Sequence, residues 1–173
     1  MATAGWCGMT TSRVAAGLAG LLLAGTAAAF GLSHVLAGEP TISGYARVVD
    51  GDSLVVDGQR VRLYGIDSPE INQRCGGEPC GLAAKAALER LIGRDPVSCR
   101  ERDRDRYGRI VATCSTQTVP DLGGLMVGTG NATDYARYSG GRYRDHEAAA
   151  KAEKLGIWRG DFQQPDQYRR THR

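Results

Sequence analysis

Residues 48–70 read VVDGDSLVVDGQRVRLYGIDSPE and carry the clearest local pattern in the chain. Two apolar runs, Ser53–Val56 and residues 61–64, flank the dipeptide Asp57-Gly58. An Asp-Gly pair between two such runs is the strongest short-range signal for a tight β-hairpin turn. The sequence therefore predicts a hairpin whose strands lie on either side of Asp57-Gly58.

Charged side chains gather at the open end of this predicted hairpin. Asp50 and Asp52 precede the first strand, and Arg62 lies on the second. Asp67 and Glu70 follow the second strand. Carboxylates that are brought together repel one another unless a cation or a proton lies between them. Hard cations such as Ca²⁺ take oxygen ligands of this kind, so the open end of the hairpin predicts a metal site.

Four motifs resemble the thermonuclease (staphylococcal nuclease-like) family. They are residues 50–53 (DGDS), 61–70 (VRLYGIDSPE), 105–109 (DRYGR) and 147–158, which end in Gly-Ile-Trp. The resemblance covers residues 42–158, in order and at family-like spacing. Each motif alone has a plain structural explanation, because Asp, Gly, Ser and Pro dominate ordinary turns. The four motifs together favour the family.

The pattern of elements agrees with the fold that this resemblance implies. We expect a first strand within residues 39–49, then the hairpin, and a helix over residues 82–92 that ends at Gly93. A second hairpin should follow from residues 97–101 and 110–116, then a short helix within 121–127 and a helix over 142–155. Five short strands with a helix after the third suggest a small closed Greek-key barrel, although the strand count alone leaves other small barrels open. Together with the resemblance, the pattern predicts an α+β domain, a five-stranded OB-fold Greek-key barrel with about three helices.

The first 37 residues differ in composition from the rest of the chain. Arg13 is their only charge, and residues 14–32 are uncharged and consist mostly of Ala, Gly and Leu. These features, with a small-residue site before Gly38, fit a signal peptide. A membrane anchor at residues 14–37 is the alternative. We therefore expect an exported protein, periplasmic or secreted, with a thermonuclease-like domain at residues 38–160 and a polar, disordered tail at 161–173.

The cysteines fit an oxidising compartment. Cys7 lies in the targeting segment, which leaves an even number, at Cys75, Cys80, Cys99 and Cys114. Four cysteines allow three pairings. Cys99 and Cys114 could face each other across the second hairpin, and the other two would then close a small loop. A zinc site is the alternative, but the three histidines lie elsewhere in the sequence, so two disulfides are the prediction.

Charge alone does not identify a partner. The formal net charge is only +3, so no domain-wide basic character points to nucleic acid. Residues 100–106 (RERDRDR) alternate in sign, which would place arginines on one face of a strand. A solvated edge strand explains such a pattern, and a face that follows phosphates is the alternative.

The resemblance implies specific roles for the residues at the open end of the hairpin. Asp52 and Asp67 match the metal carboxylates of the family, which hold Ca²⁺, and the backbone carbonyl of Ser68 is a possible third protein ligand. Glu70 matches the carboxylate assigned as general base, which either abstracts a proton from the attacking water or orients that water.

Two arginines and two tyrosines complete the expected site. Arg62 and Arg109 match the family's two phosphate-clamping arginines, whose planar guanidinium binds two phosphate oxygens at once. Tyr107 and Tyr138 are candidates for stacking on a nucleobase, a contact that tolerates any base. For Tyr135 we expect core packing instead.

The resemblance implies an exported, monomeric, Ca²⁺-dependent endonuclease that cleaves DNA and RNA with little sequence preference. The expected products carry 3′-phosphate and 5′-hydroxyl ends. A non-catalytic OB-fold module that binds nucleic acid is one alternative, and an envelope-tethered scaffolding domain is another. The presence of every matching site residue argues against the first, and a mature N-terminus near Gly38 would argue against the second.

Overall fold

The computed structural model describes residues 41–172. The expected signal peptide or anchor at residues 1–37 lies outside this range. Two β-strands precede the first hairpin, and the elements follow in the order β1 (Thr41–Gly44), β2 (Ala46–Val48), β3 (Ser53–Val56), β4 (Gln59–Leu63), β5 (Ile66–Asp67), α1 (Cys80–Ile92), β6 (Val97–Arg104), β7 (Ile110–Ser115), α2 (Leu122–Gly128), β8 (Thr133–Asp134), α3 (Ala136–Ser139), α4 (Arg144–Ala152), a 3₁₀ helix (Gly156–Arg159) and α5 (Pro165–Thr171). None of the helices in this range is both long enough and apolar enough to span a bilayer.

Six strands form one curled sheet in the order β1-β6-β7-β4-β3-β2. All neighbours are antiparallel except β4 and β7, which are parallel. Strands β5 and β8 form a separate two-stranded ladder. The curled sheet, together with the helices of the described range, is an α+β arrangement of the OB-fold type, as the sequence predicted.

The expected single first strand is divided into two, which corrects the strand count. Strand β1 pairs with β6, whereas β2 pairs with β3 at the opposite edge of the sheet. Only the exposed residue Tyr45 separates β1 from β2. One short segment therefore supplies hydrogen bonds to both edges of the sheet, which is why the sheet curls and why six strands replace the predicted five.

The hairpin predicted around Asp57-Gly58 is confirmed. Both turn residues have positive φ, 46° and 74°, as a two-residue type I′ turn requires. Strands β3 and β4 pair with Ser53 opposite Arg62. The alternate side chains Leu54, Val56, Val61 and Leu63 are buried in the core of the domain. The hairpin thus contributes its apolar face to the core and its open end to the site.

Helix α1 covers the predicted residues 82–92 and starts two residues earlier, at Cys80. Its apolar side, Ala84, Ala87, Leu88 and Ile92, is buried in the core, and Gly93 ends it with φ of 59°. Helix α2 matches the expected short helix. Its first turn is capped by the carboxylate of Asp121, which accepts a hydrogen bond from the Gly124 N–H at 3.0 Å.

The last predicted helix is shorter than expected. It was expected over residues 142–155, but α4 covers only Arg144–Ala152. Lys154 has a φ of 52°, and the chain then turns into the 3₁₀ helix at Gly156–Arg159. A residue whose backbone is in the left-handed region cannot continue a right-handed α-helix. The helix therefore ends before Lys154.

The tail expected to be disordered contains helix α5. Its first residue, Pro165, is buried, and proline is favoured at the first position of a helix. The Gln163 carbonyl accepts a hydrogen bond from the Gln73 side chain at 2.6 Å, and the Asp161 carbonyl accepts one from the Gly76 N–H at 3.0 Å. These partners lie far away in the sequence, so local composition alone gives no sign of the helix.

Both predicted disulfides are present. Cys99 and Cys114 lie directly opposite each other on β6 and β7, and both are buried. Cys75 and Cys80, five residues apart in the sequence, tie the preceding loop to the first residue of α1. Disulfides persist in oxidising compartments, so this pair of bridges is typical of an extracellular or periplasmic protein.

The two disulfides should differ in their contribution to stability because they close loops of different length. Replacing Cys99 and Cys114 with Ala should lower the free energy of unfolding by about 3 kcal/mol, and the same change at Cys75 and Cys80 by about 2 kcal/mol. Urea unfolding of the oxidised variants measures both values. A larger loss from the Cys75–Cys80 pair would contradict the loop-length argument.

Candidate active site

The turn before β3 brings two acidic segments together. The Asp50 carboxylate accepts a hydrogen bond from the Asp52 N–H at 3.0 Å, which holds the turn closed. Gly51 lies against Ser68, and a β-carbon at position 51 would collide with the Ser68 hydroxyl. Glycine at this position therefore lets the segment carrying Asp52 approach the segment carrying Asp67.

Arg62 bridges the two buried carboxylates. Its Nη1 donates to Asp52 Oδ1 at 2.8 Å, and its Nη2 donates to Asp67 Oδ1 at 3.0 Å. Nη2 also donates to the Ile66 carbonyl at 3.2 Å. Burial alone would lower the pKa of Arg62, but Asp52 and Asp67 outweigh burial and raise it. The guanidinium is therefore charged at any physiological pH.

The carboxylate of Asp52 accepts two further hydrogen bonds. The Ser53 hydroxyl donates to Oδ1 at 3.0 Å, and the Ser68 backbone N–H donates to Oδ2 at 3.2 Å. Burial and the neighbouring Asp52 raise the pKa of Asp50. Burial likewise raises the pKa of Asp67, although hydrogen bonds and charge from arginines oppose the rise. The site is a dense, partly desolvated group of carboxylates.

A second arginine, which the sequence reasoning missed, contacts the same group. Arg169 on α5 donates to both oxygens of Asp67, with Nη1–Oδ1 of 3.0 Å and Nη2–Oδ2 of 2.8 Å. Its Nη1 also donates to Glu70 Oε1 at 2.8 Å. Arg169 therefore connects Glu70 to Asp67. It was missed because the tail was expected to be disordered, and no local spacing relates residue 169 to residues 67 and 70.

Arg109 contacts a different carboxylate. Its Nε donates to Asp105 Oδ2 at 2.6 Å, and Asp105 Oδ1 accepts the backbone N–H groups of Tyr107 and Arg109. Burial opposes the change, but these hydrogen bonds lower the pKa of Asp105. Strand β7 runs beside β4, with Val111 opposite Arg62. Arg109 thus lies immediately before the strand that neighbours β4, and it is paired with Asp105 rather than with the group around Asp67.

The two candidate stacking residues have exposed rings. Tyr107 and Tyr138 are more than half exposed, and an arginine lies over each ring, with Arg106 at 4.9 Å and Arg137 at 5.8 Å from the ring centres. Tyr138 also contacts the Tyr135 ring at 4.8 Å. An exposed aromatic face beside an arginine suits stacking on a base.

The oxygen donors and the negative charge of this group are of the kind that bind a hard divalent cation. The carboxylates of Asp52, Asp67 and Glu70 pair with two guanidinium groups, and Asp50 lies beside Asp52. When all four carboxylates are ionised, two negative charges are in surplus. Oxygen ligands and negative charge are what Ca²⁺ requires. Over residues 41–172, however, no group of three or more His, Cys, Asp or Glu side chains is arranged to enclose a metal. The arginines occupy carboxylate oxygens that a metal would need.

A family model and several curated proteins match this chain. A family model described as Staphylococcal nuclease homologue matches residues 60–160, a range that includes Arg62, Asp67, Glu70 and Arg109. The chain is 35% identical to Succinoglycan biosynthesis protein ExoI of Rhizobium meliloti (strain 1021) over 138 residues, which are 76% of this chain and 72% of that protein.

Two further relatives carry nuclease names. The chain is 31% identical to Micrococcal nuclease of Shigella flexneri over 142 residues, which are 72% of this chain and 78% of that protein. It is 34% identical to Probable endonuclease LCL3 of Verticillium alfalfae over 157 residues, which are 81% of this chain and 54% of that protein. The chain therefore spans about half the length of this LCL3 relative.

Arg62 should be essential for stability as well as for the geometry of the site. Removing the guanidinium takes a cationic partner from each of two buried carboxylates. Arg62→Ala should therefore lower the free energy of unfolding by about 3 kcal/mol. Arg60→Ala is the matched control, because Arg60 is exposed two positions earlier on the same strand and should change stability by less than about 0.5 kcal/mol. Urea unfolding at neutral pH measures both, and equal losses would contradict the role assigned to Arg62.

Proposed function

The chain belongs to the staphylococcal nuclease family, and from this premise we propose that it is an exported Ca²⁺-dependent endonuclease acting on DNA and RNA. One observation carries the proposal. A guanidinium lies between two buried carboxylates, Asp52 and Asp67, in the segment that leads directly to Glu70. Phosphodiester hydrolysis needs a cationic clamp, acidic ligands and a base in one place, and this segment supplies all three.

Arg62 is suited to bind the substrate phosphate. A guanidinium has five N–H donors, and the contacts to Asp52, Asp67 and the Ile66 carbonyl engage three of them. The other two can meet a phosphate oxygen without loss of the bridge. Lysine cannot do this, because an ammonium lacks the planar fork.

Asp52 and Asp67, with the backbone carbonyl of Ser68, would hold Ca²⁺. The surplus negative charge of the site supports this assignment. When bound, the cation supplies positive charge that stabilises the charge developing on the phosphate oxygens.

Glu70 is the proposed general base. Its side chain is 40% exposed, so a water can reach it. The water oxygen attacks phosphorus, Glu70 takes the water's proton or orients the water, and the bond from phosphorus to the 5′-oxygen breaks. The leaving oxygen acquires a proton, which gives a 5′-hydroxyl and a 3′-phosphate. Arg109, already held in place by Asp105, is the second proposed phosphate clamp.

Tyr107 and Tyr138 are the proposed base-stacking residues, and their exposed rings support this role. Stacking accepts any base and does not read the sugar, so it is compatible with both DNA and RNA. The two disulfides support export. We propose a monomer, associated with a membrane only if the segment at residues 14–37 is retained.

The central test is cleavage of single-stranded DNA by the purified protein, with Ca²⁺ and with excess chelator. We expect cleavage only with Ca²⁺, and Glu70→Gln should lower kcat by at least about 100-fold because it removes the base but keeps the shape. Arg62→Lys should also lower kcat/KM. Glu89→Gln on the exposed side of α1 is the control and should retain activity. Intact DNA from the folded native protein would leave the non-catalytic OB-fold module as the function.

Stacking should appear in substrate binding rather than in chemistry. Tyr138→Ala should raise KM for single-stranded DNA by about 5- to 100-fold, because one base–aromatic stack is worth about 1–3 kcal/mol, with kcat little changed. The size of the effect should be similar on oligo-dT and oligo-dA. Tyr45→Ala is the matched control at another exposed tyrosine. An unchanged KM would mean that Tyr138 serves only to pack against Tyr135.

A further inference from the structure

Helix α5 brings a cationic group to the carboxylates that are proposed to bind the metal. We propose that Arg169 is a tethered competitor of the divalent cation for Asp67 and Glu70, so that it sets the cation affinity of the site. This inference rests on the proposed function, because it assigns a further residue to the same site.

Arg169 binds the carboxylates of the site directly and is not a free surface side chain. Its two terminal nitrogens bind both oxygens of the buried Asp67 carboxylate, at 3.0 and 2.8 Å, in the fork arrangement that favours arginine. A third bond, at 2.8 Å, reaches Glu70. Asp67 and Glu70 raise the pKa of Arg169, although burial works in the opposite direction. One guanidinium thus forms ion pairs with two acidic residues.

The fold holds this guanidinium in place. Helix α5 is anchored at its start by the buried Pro165 and by the hydrogen bond from the Gln73 side chain to the Gln163 carbonyl. Just before the helix, Phe162 packs edge-on against Trp158, with ring centres 5.0 Å apart. The next residue, Arg170, instead pairs with Asp166 on its own helix, at 3.1 Å. Only one of the two adjacent arginines is directed to the site.

Direct coordination of a cation opposes the Arg169 contact. Arg169 donates to both oxygens of Asp67, and Arg62 also donates to Oδ1. A cation would have to share these oxygens, and two positive charges at contact distance repel. Arg62 also contacts Asp67, but its side chain is only 18% exposed and it lies within the central sheet. The Arg169 side chain is 34% exposed, so it can move into solvent with less disruption. Arg169 is therefore the arginine that leaves when a cation arrives.

Two consequences follow for the site. Without the cation, Arg169 forms ion pairs with both Asp67 and Glu70. The buried Asp67 carboxylate would otherwise have only Arg62 as a cationic partner among residues 41–172, so the Arg169 contact stabilises it. With the cation bound, Glu70 is released from its ion pair and becomes free to contact water. The free guanidinium is then available to a phosphate.

Direct Ca²⁺ titration by calorimetry tests the competition without an activity assay. Arg169→Gln should bind Ca²⁺ at least about tenfold more tightly than the native protein, a difference of about 1.4 kcal/mol. Arg169→Lys keeps the charge but loses the fork, so its affinity should lie between the two. Arg170→Gln, on the same helix, is the matched control and should bind as the native protein does.

Thermal unfolding gives a second, independent measurement. In chelator, Arg169→Gln should melt at a lower temperature than the native protein, since Asp67 has lost a partner. Added Ca²⁺ should raise the melting temperature of Arg169→Gln more than that of the native protein or of Arg170→Gln, because tighter binding to the folded state stabilises it more. Circular dichroism confirms that each variant is folded.

The outcomes separate this inference from the proposed function. Ca²⁺-dependent cleavage by the native protein with equal Ca²⁺ affinity in native protein, Arg169→Gln and Arg169→Lys would overturn the competition and leave the nuclease intact. Tighter Ca²⁺ binding by Arg169→Gln with no cleavage by the native protein would support the competition and overturn the nuclease. No Ca²⁺ binding by any variant would overturn both the competition and the Ca²⁺ dependence.

Discussion

The structure around the site depends on the ion pairs of Arg62 with Asp52 and Asp67. An ionised carboxylate cannot be buried without a charged or hydrogen-bonded partner, because desolvation costs several kcal/mol or more. Arg62 supplies that partner to both acids at 2.8 and 3.0 Å. The turn at Asp57-Gly58 sets the strand register that places Ser53 opposite Arg62. The turn fixes the strand register, and the register places Arg62 where it can compensate the charge of both carboxylates.

Much of this could be predicted from the sequence because it depends on local pattern. The hairpin follows from an Asp-Gly step between apolar runs, and helix α1 from apolar residues at helical spacing. Two disulfides were expected, and the symmetry of Cys99 and Cys114 about the second turn suggested one of three possible pairings. The closeness of Asp52 and Arg62 follows from the hairpin, and Asp67 follows four residues after the hairpin strand β4 ends. The chemical roles of these three residues stay predictions, since a contact does not by itself define a reaction.

What could not be predicted depends on contacts between distant residues. The division of the first strand at Tyr45 is set by pairing with β6 on one side and β3 on the other, which places β1 and β2 at opposite edges of the sheet. Helix α5 is stabilised by Gln73 and Asp67, both more than 85 residues away, and its own composition is polar. Neither the strand division nor helix α5 produces a spacing pattern in the sequence, because the residues that stabilise each of them come together only in the folded protein. Arg169 was missed for this reason.

The arginines of the site share one arrangement. Arg62 is paired with Asp52 and Asp67, Arg109 with Asp105, and Arg169 with Asp67 and Glu70. A guanidinium fixed by a carboxylate has already lost its rotamer freedom, so an incoming phosphate meets a donor that is in position. The same pairing compensates the charge of a dense acidic cluster. Under the proposed function, the carboxylates would hold the guanidinium groups in position for a phosphate, and Arg169 would occupy the position of the cation until it binds.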